Sequence, residues 1–310
     1  MNNNDYTPAA RPTFYFIGVT TGSSSIMKVF PKWAAELGLD AEMKGFDFVP
    51  HSPAEDYREV VSYIKNDPNS LGALVTTHKI DLYNAAKDLF DYLDPYAVKL
   101  GEISSISKDG DKLCGHAKDP ISSGKALQNF VPDGFFREHG GEVLLLGAGG
   151  SSLAMSIYLT DKDLHDAADI PKKITIANRS QKRLDSAKEL LADVPQMNYV
   201  LNPTPADNDA TLAQLPAYSL IVNATGLGKD APGSPLTDAA VFPANSLVWE
   251  INYRGDLIFK EQALRQAEEK NLHVEGGWIY FIHGWTQVME EVFHIDLSDK
   301  IERLSEIASS

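Results

Sequence analysis

Short apolar runs alternate along this chain with stretches whose apolar residues recur every three or four positions. That is the signature of strands interleaved with amphipathic helices. Residues 14–20, 42–49 and 71–77 predict strands, with helices over 31–37, 56–66 and 81–92. Two further strands, 101–107 and 112–117, flank Lys108-Asp109-Gly110-Asp111, where Asp-Gly accepts the positive φ angles a tight hairpin turn requires. Pro120 opens a helix through about Gln128. From Val143 the alternation resumes, with strands near 143–147, 174–178, 198–201, 219–223 and 246–252. Strands and helices alternating at this spacing predict parallel βαβ units. The tail from Trp278 is helical and apolar, ending in 299–308.

One of these junctions carries chemistry. The apolar run Val143-Leu-Leu-Leu146 breaks into Gly147-Ala-Gly149-Gly150-Ser151-Ser152 and opens a helix. Glycines at 147 and 149 permit a tight turn and let backbone N–H groups approach a pyrophosphate at a positively polarised helix start. Taken alone, such a turn equally suits an ordinary strand-to-helix junction. The next strand ends in Asn178-Arg179-Ser180, with Lys182 and Arg183 close behind. An acidic residue there would bind a ribose 2′-hydroxyl, whereas a guanidinium suits a 2′-phosphate, so the expected cofactor is NADP. A third strand ends in Asn223-Ala-Thr225-Gly226, small polar residues at the carboxyl edge of a parallel sheet, where ligands of this architecture bind.

Composition narrows the classes. With 310 residues the chain suits two domains, and 43% hydrophobic with 23% charged residues is ordinary for a globular protein. A formal net charge of −15 argues against nucleic acid or an anionic membrane as partner. No apolar run is long enough to span a membrane and no signal peptide precedes the first strand, so a cytoplasmic location is expected. Residues 1–12 are polar and predict a disordered tail. A single cysteine, Cys114, excludes an internal disulfide, and no histidine spacing implies a metal.

Two charged residues end strands in the first third. Lys79 follows 71–77 and Asp119 follows 112–117. A hydride leaving a carbinol carbon requires that the hydroxyl proton be taken up nearby, which a lysine can do when its pKa is pulled down. Each residue alone also has a bland reading, a solvated strand end for Lys79 and a helix N-cap for Asp119.

In this order the motifs resemble the shikimate and quinate dehydrogenase family over about residues 14–295. Ser23-Ser24-Ser25 is similar to the family's Ser-x-Ser, and Leu74-Val-Thr76-Thr77-His78-Lys79 to a longer Asn-Val-Thr-x-Pro-x-Lys. Gly101-Glu-Ile-Ser104-Ser105 is similar to Gly-Ala-Val-Asn-Thr, and Gly115-His-Ala-Lys118-Asp119 to Gly-x-Asn-Thr-Asp. The resemblance implies an α/β substrate domain over 1–121 and 279–310, and a Rossmann-type doubly wound NADP domain over 122–278. It implies Lys79 and Asp119 as the catalytic pair, with Ser23, Ser25, Thr76, Ser104, Tyr253 and His283 binding substrate. It implies cofactor contacts from Gly147, Gly149, Gly150, Ser151, Asn178, Arg179, Ser180, Arg183, Asn223, Thr225, Gly226, Ile251 and Gly276.

The carboxylate side of the family's pocket survives in Ser23, Ser25 and Tyr253, while the ring-hydroxyl side is changed at Leu74, Ser104, Lys118 and His283. A hydrogen-bonding pocket rejects mismatched rings strongly. The expected substrate is a shikimate- or quinate-like cyclic hydroxy acid, with shikimate itself a poor one, and the expected assembly is a monomer or homodimer. His283 is equally readable as a core histidine, and His78 as a surface residue or a neighbour that tunes Lys79. The rival readings are an NAD-dependent quinate-type dehydrogenase and a non-catalytic NADP or metabolite sensor.

Overall fold

The computed structural model describes residues 4, 6–229 and 231–310, which fall into two compact units, one of residues 1–118 with 284–310 and one of 119–283. The first unit opens with β1 (Thr13–Gly18), α1 (Ile26–Leu37), β2 (Glu42–Asp47), α2 (Ala54–Asn66), β3 (Ser70–Val75) and α3 (Lys79–Ala86). It continues with β4 (Tyr92–Leu93), α4 (Pro95–Leu100), β5 (Ser105–Asp109) and β6 (Lys112–His116). The strands form one mixed sheet in the order β2-β1-β3-β5-β6-β4. β1 pairs in parallel with β2 and β3, while β5 runs antiparallel to both β3 and β6. Its core packs Tyr15, Ile17, Phe46, Tyr57, Val60, Ile64, Val75 and Ile106 around α2.

Several expectations are corrected here. α1 begins at Ile26 rather than at Pro31, because Ile26, Val29, Phe30, Trp33 and Ala34 form one buried stripe that outweighs the backbone bond Pro31 cannot donate. The helix expected through Tyr92 ends at Ala86. Tyr92 and Leu93 pair with β6, and Asp94 caps α4 with Pro95 at its first turn. In the hairpin, positive φ falls on Gly110 alone, since Asp109 is already paired with Lys112. Of the expected disordered tail, the described residues are held in place. Tyr6 packs on Phe46 and Tyr63, and the Ala9 N–H donates to Asp67. Met1, Asn2, Asn3 and Asp5 lie outside the described residues.

The second unit runs through α5 (Asp119–Gln128), α6 (Phe135–His139), β7 (Val143–Leu146), α7 (Gly150–Leu159), β8 (Ile174–Asn178) and α8 (Gln181–Leu190). Next come β9 (Met197–Leu201), α9 (Pro205–Leu212), β10 (Leu220–Asn223), β11 (Leu247–Glu250), α10 (Ile258–Leu264), α11 (Ala267–Lys270) and β12 (His273–Glu275). All six strands are parallel, in the order β9-β8-β7-β10-β11-β12. This is the doubly wound order in which the sheet changes direction between its first strand and its fourth. β7 and β10 are buried throughout, and apolar up to Asn223, because a parallel sheet is covered on both faces. The chain closes with α12 (Trp278–Phe293) and α13 (Ile301–Ser309). Trp285 packs edge-on against Phe14 and Phe16, and the Trp33 indole donates to the Leu304 carbonyl at 2.8 Å.

Candidate functional site

At the point where the second sheet changes direction, Gly147 leaves β7 at φ +108°. A Cβ built there would lie 2.7 Å from the Ala224 carbonyl oxygen, just past β10, so only glycine fits. Ser152 donates to the Gly147 carbonyl at 2.6 Å and ties the turn to the first coil of α7. At Gly149, the residue before α7, a Cβ would meet no atom within 4 Å. Gly150 begins the helix and Ser151 is half-buried beside it. Backbone N–H groups at a helix start, with open space over Gly149, fit a dinucleotide pyrophosphate.

Asn178 ends β8, and Ser180 caps α8 by accepting the Arg183 N–H at 3.4 Å. The Ser180 hydroxyl is thus already committed to a structural bond. Arg179 and Arg183 are exposed and form no ion pair among the described residues. Two uncommitted guanidinium groups beside a helix start fit an additional phosphate.

A buried acid joins the next two strand ends. Glu250 closes β11 with no exposed surface. It accepts from Asn223 Nδ2 at 2.6 Å and from Asn252 N and Nδ2 at 2.9 and 2.7 Å. Asn223 Oδ1 in turn accepts from the Thr225 N–H and hydroxyl, while Asn252 Nδ2 also reaches the Thr225 and Leu227 carbonyls. Burial pushes the Glu250 pKa up to about 7, opposed by the hydrogen bonds from Asn252 and Asn223 and by Lys260. The segments holding Thr225, Gly226, Ile251 and Tyr253 are thereby tied to one carboxyl. Gly276 is half-buried after β12, and its carbonyl accepts the Trp249 indole N–H. Glu250-Ile-Asn-Tyr253 is similar to the family's Asp-x-x-Tyr, but the resemblance gave a role only to the tyrosine and none to Glu250 or Asn252. An acid directly after the apolar Leu247-Val-Trp249 was the available signal.

In the first unit, one end of the mixed sheet gathers several expected residues. Ser23 and Ser25 follow β1 and are exposed, with Ser23 Oγ donating to Thr20 O. The Thr76 N–H donates to Ile17 O at 3.0 Å, beside the end of β1. Lys79 opens α3, and its carbonyl accepts the Ile103 N–H at 3.1 Å. Ser104 is buried and its hydroxyl accepts the Lys118 N–H at 2.7 Å. Lys118 is engaged, its amine 2.6 Å from Glu291 Oε1, with Glu291 Oε2 3.6 Å from His116. His78 is fully buried rather than at the surface.

The remaining expected residues belong to the second unit. Asp119 opens α5. Tyr253 is half-buried, its ring 4.5 Å from Phe281 and 6.3 Å from Trp278. His283 is 5% exposed, and its Nδ1 has no hydrogen-bond partner among the described residues. Burial, then repulsion from Lys125, pushes its pKa down to about 4, so the ring is neutral at pH 7. Among the described residues no cluster of acidic, histidine or cysteine side chains could hold a metal, and no helix is long and apolar enough to cross a membrane.

No protein-family profile matches the chain. It is 27% identical over 253 residues to the shikimate dehydrogenase (NADP(+)) of Symbiobacterium thermophilum, covering 80% of this chain and 78% of that one. The fold matches shikimate 5-dehydrogenase from Thermus thermophilus, solved with NADP(H) and shikimate, at a TM-score of 0.70, 20% identity, and 96% and 98% coverage. It also matches quinate dehydrogenase from Corynebacterium glutamicum in complex with NAD, at a TM-score of 0.73, 16% identity, and 96% and 98% coverage. Taken with the doubly wound sheet and its glycine turn, these likenesses make the chain similar in sequence to shikimate dehydrogenase and similar in fold to shikimate and quinate dehydrogenases.

Proposed function

We propose that the protein is an NADP-dependent dehydrogenase acting on a ring hydroxyl, or the corresponding ketone, of a shikimate- or quinate-like cyclic hydroxy acid. The observation that supports it most is the Gly147 turn at the sheet's change of direction, where an added Cβ would lie 2.7 Å from the Ala224 carbonyl oxygen, followed by the uncommitted Arg179 just past β8. Gly147, Gly149, Gly150 and Ser151 would hold the pyrophosphate. Arg179 and Arg183, with Asn178 and Ser180, would hold the 2′-phosphate. Asn223, Thr225, Gly226, Ile251 and Gly276 would hold the nicotinamide end. NADP, when bound, supplies the hydride chemistry.

The proton falls to the protein. Lys79 is assigned as the group that takes the hydroxyl proton when the alcohol is oxidised and returns it when the ketone is reduced. Asp119 is assigned to hold that hydroxyl. Ser23, Ser25, Thr76 and Tyr253 are assigned to the substrate carboxylate, and Ser104 and His283 to the ring. With Nδ1 unpaired and the imidazole neutral, His283 can donate to or accept from a hydroxyl. The first unit, with the C-terminal residues, is the proposed substrate domain.

Two variants test this reading. Lys79→Ala is expected to abolish turnover of cyclic hydroxy acids while leaving NADP affinity unchanged, and persisting turnover would remove the proton role. Arg179→Ala is expected to raise KM for NADP about 10- to 100-fold, the value of one or two charge-assisted bonds, with little change for NAD. Equal effects on the two cofactors would favour the NAD-dependent alternative.

A further inference from the structure

Between β3 and α3 the chain reverses within three residues. Thr77 holds φ at +59°, and the His78 N–H donates at 2.5 Å to the Thr76 carbonyl two residues back, closing a γ-turn. A β-branched side chain in the left-handed region costs about 1–2 kcal/mol, and such a conformation persists only where its surroundings over-determine it. Those surroundings are explicit. On one side the Thr76 N–H is bonded to β1 through Ile17 O at 3.0 Å. On the other, His78 is fully buried, with Nδ1 2.9 Å from the Tyr57 hydroxyl of α2 and its ring against Phe48 and Tyr57. The His78 carbonyl accepts the Leu82 N–H at 2.8 Å, and the Lys79 carbonyl accepts the Ile103 N–H at 3.1 Å. The residue immediately before Lys79 is therefore latched to a different helix, and the one before that is strained.

We propose that Thr77 and His78 are positioning residues for Lys79. The strained turn and its His78–Tyr57 latch fix the direction in which α3 leaves the sheet. They thereby restrict the volume that the amine, at the end of a flexible four-carbon stem, can sweep. The inference rests on the proton role assigned to Lys79 above, but it makes a statement about the turn that can fail separately. A positional error of about 1 Å costs a reaction about a hundredfold, so a device of this kind has a measurable effect on rate.

Three variants test it. Thr77→Gly removes the strain, Thr77→Asn keeps a residue that tolerates left-handed backbone, and Tyr57→Phe removes the latch hydroxyl from an element that does not carry Lys79. Turnover of shikimate and quinate with NADP would be measured with each variant. So would competitive acetylation of the Lys79 amine against the exposed Lys112 across pH, read by mass spectrometry, which needs no substrate. Thr77→Gly is expected to melt no lower than the parent, yet to lose about tenfold in kcat at unchanged KM for NADP and to shift Lys79 acetylation severalfold. Tyr57→Phe should move both readouts the same way, and Thr77→Asn should stay within about twofold of the parent. If Thr77→Gly and Tyr57→Phe both leave acetylation and kcat within about twofold, the turn is structural only and the proposal is wrong. If acetylation shifts but Lys79→Ala still turns over, positioning holds and the proton role of Lys79 is what fails.

Discussion

The opposed titrations of Glu250 and His283 give the sharpest test of the second unit. Glu250 rises from an ordinary 4.5 to about 7 in the fold, so between those values the native state binds more protons than the unfolded chain. Its contribution to stability is fully present below 4.5 and is lost as pH rises through about 7. His283 falls from an ordinary 6.5 to about 4, so its contribution is present above 6.5 and is lost as pH drops through about 4. Each displacement spans about 2.5 decades in proton affinity, about 3 kcal/mol in full, of which about 2 kcal/mol falls between pH 4.5 and 6.5. In that window the two slopes have opposite sign and similar size, so in the parent they cancel. Glu250→Gln removes the falling slope. The variant's unfolding free energy, measured by urea titration with tryptophan fluorescence, is then expected to climb by about 2 kcal/mol relative to the parent from pH 4.5 to 6.5. His283→Gln should give the mirror image, and the double variant should run parallel to the parent. The amide at 250 also faces the Asn223 and Asn252 donors, which shifts the absolute stability but not the slope. Parallel pH profiles for parent and Glu250→Gln would refute the claim that this carboxyl is buried in one protonation equilibrium with the fold.

Gly147→Ala drives a Cβ against the Ala224 carbonyl, a backbone atom that cannot swing aside. A loss of about 2 kcal/mol or more is expected in thermal unfolding, together with loss of NADP binding by calorimetry. Trp33→Phe leaves the Leu304 carbonyl without its indole donor. About 1–3 kcal/mol of stability should be lost, and amide exchange should rise across residues 301–309.

Much of the architecture was legible because it depends on local pattern. The mainly apolar runs at 143–146, 174–177 and 220–222 are buried on both faces, so their composition marks them without reference to anything distant. The glycine turn could be read for the same reason, since a strand, a residue needing positive φ and a helix start are contiguous in the chain. The errors arose where a distant partner outweighed a local signal. Pro31 marks a helix start locally, yet α1 begins five residues earlier to bury Ile26 and Val29. Residues 6–9 look like a polar tail until Phe46 of β2, Tyr63 of α2 and Asp67, just after α2, supply their partners.

By itself, then, the amino-acid order determined the alternation of strands and helices, the place of the glycine turn and the identity of the charged residues at each strand end. Tertiary structure alone decided which of those groups are committed and which remain available. It set Glu291 against Lys118, placed Tyr57 on His78, and enclosed Glu250 with two asparagines, while leaving Arg179 uncommitted. The physical reason is range. Backbone propensity and periodicity act over a few neighbouring residues, whereas desolvation and hydrogen-bond partnership depend on side chains brought together from far along the chain.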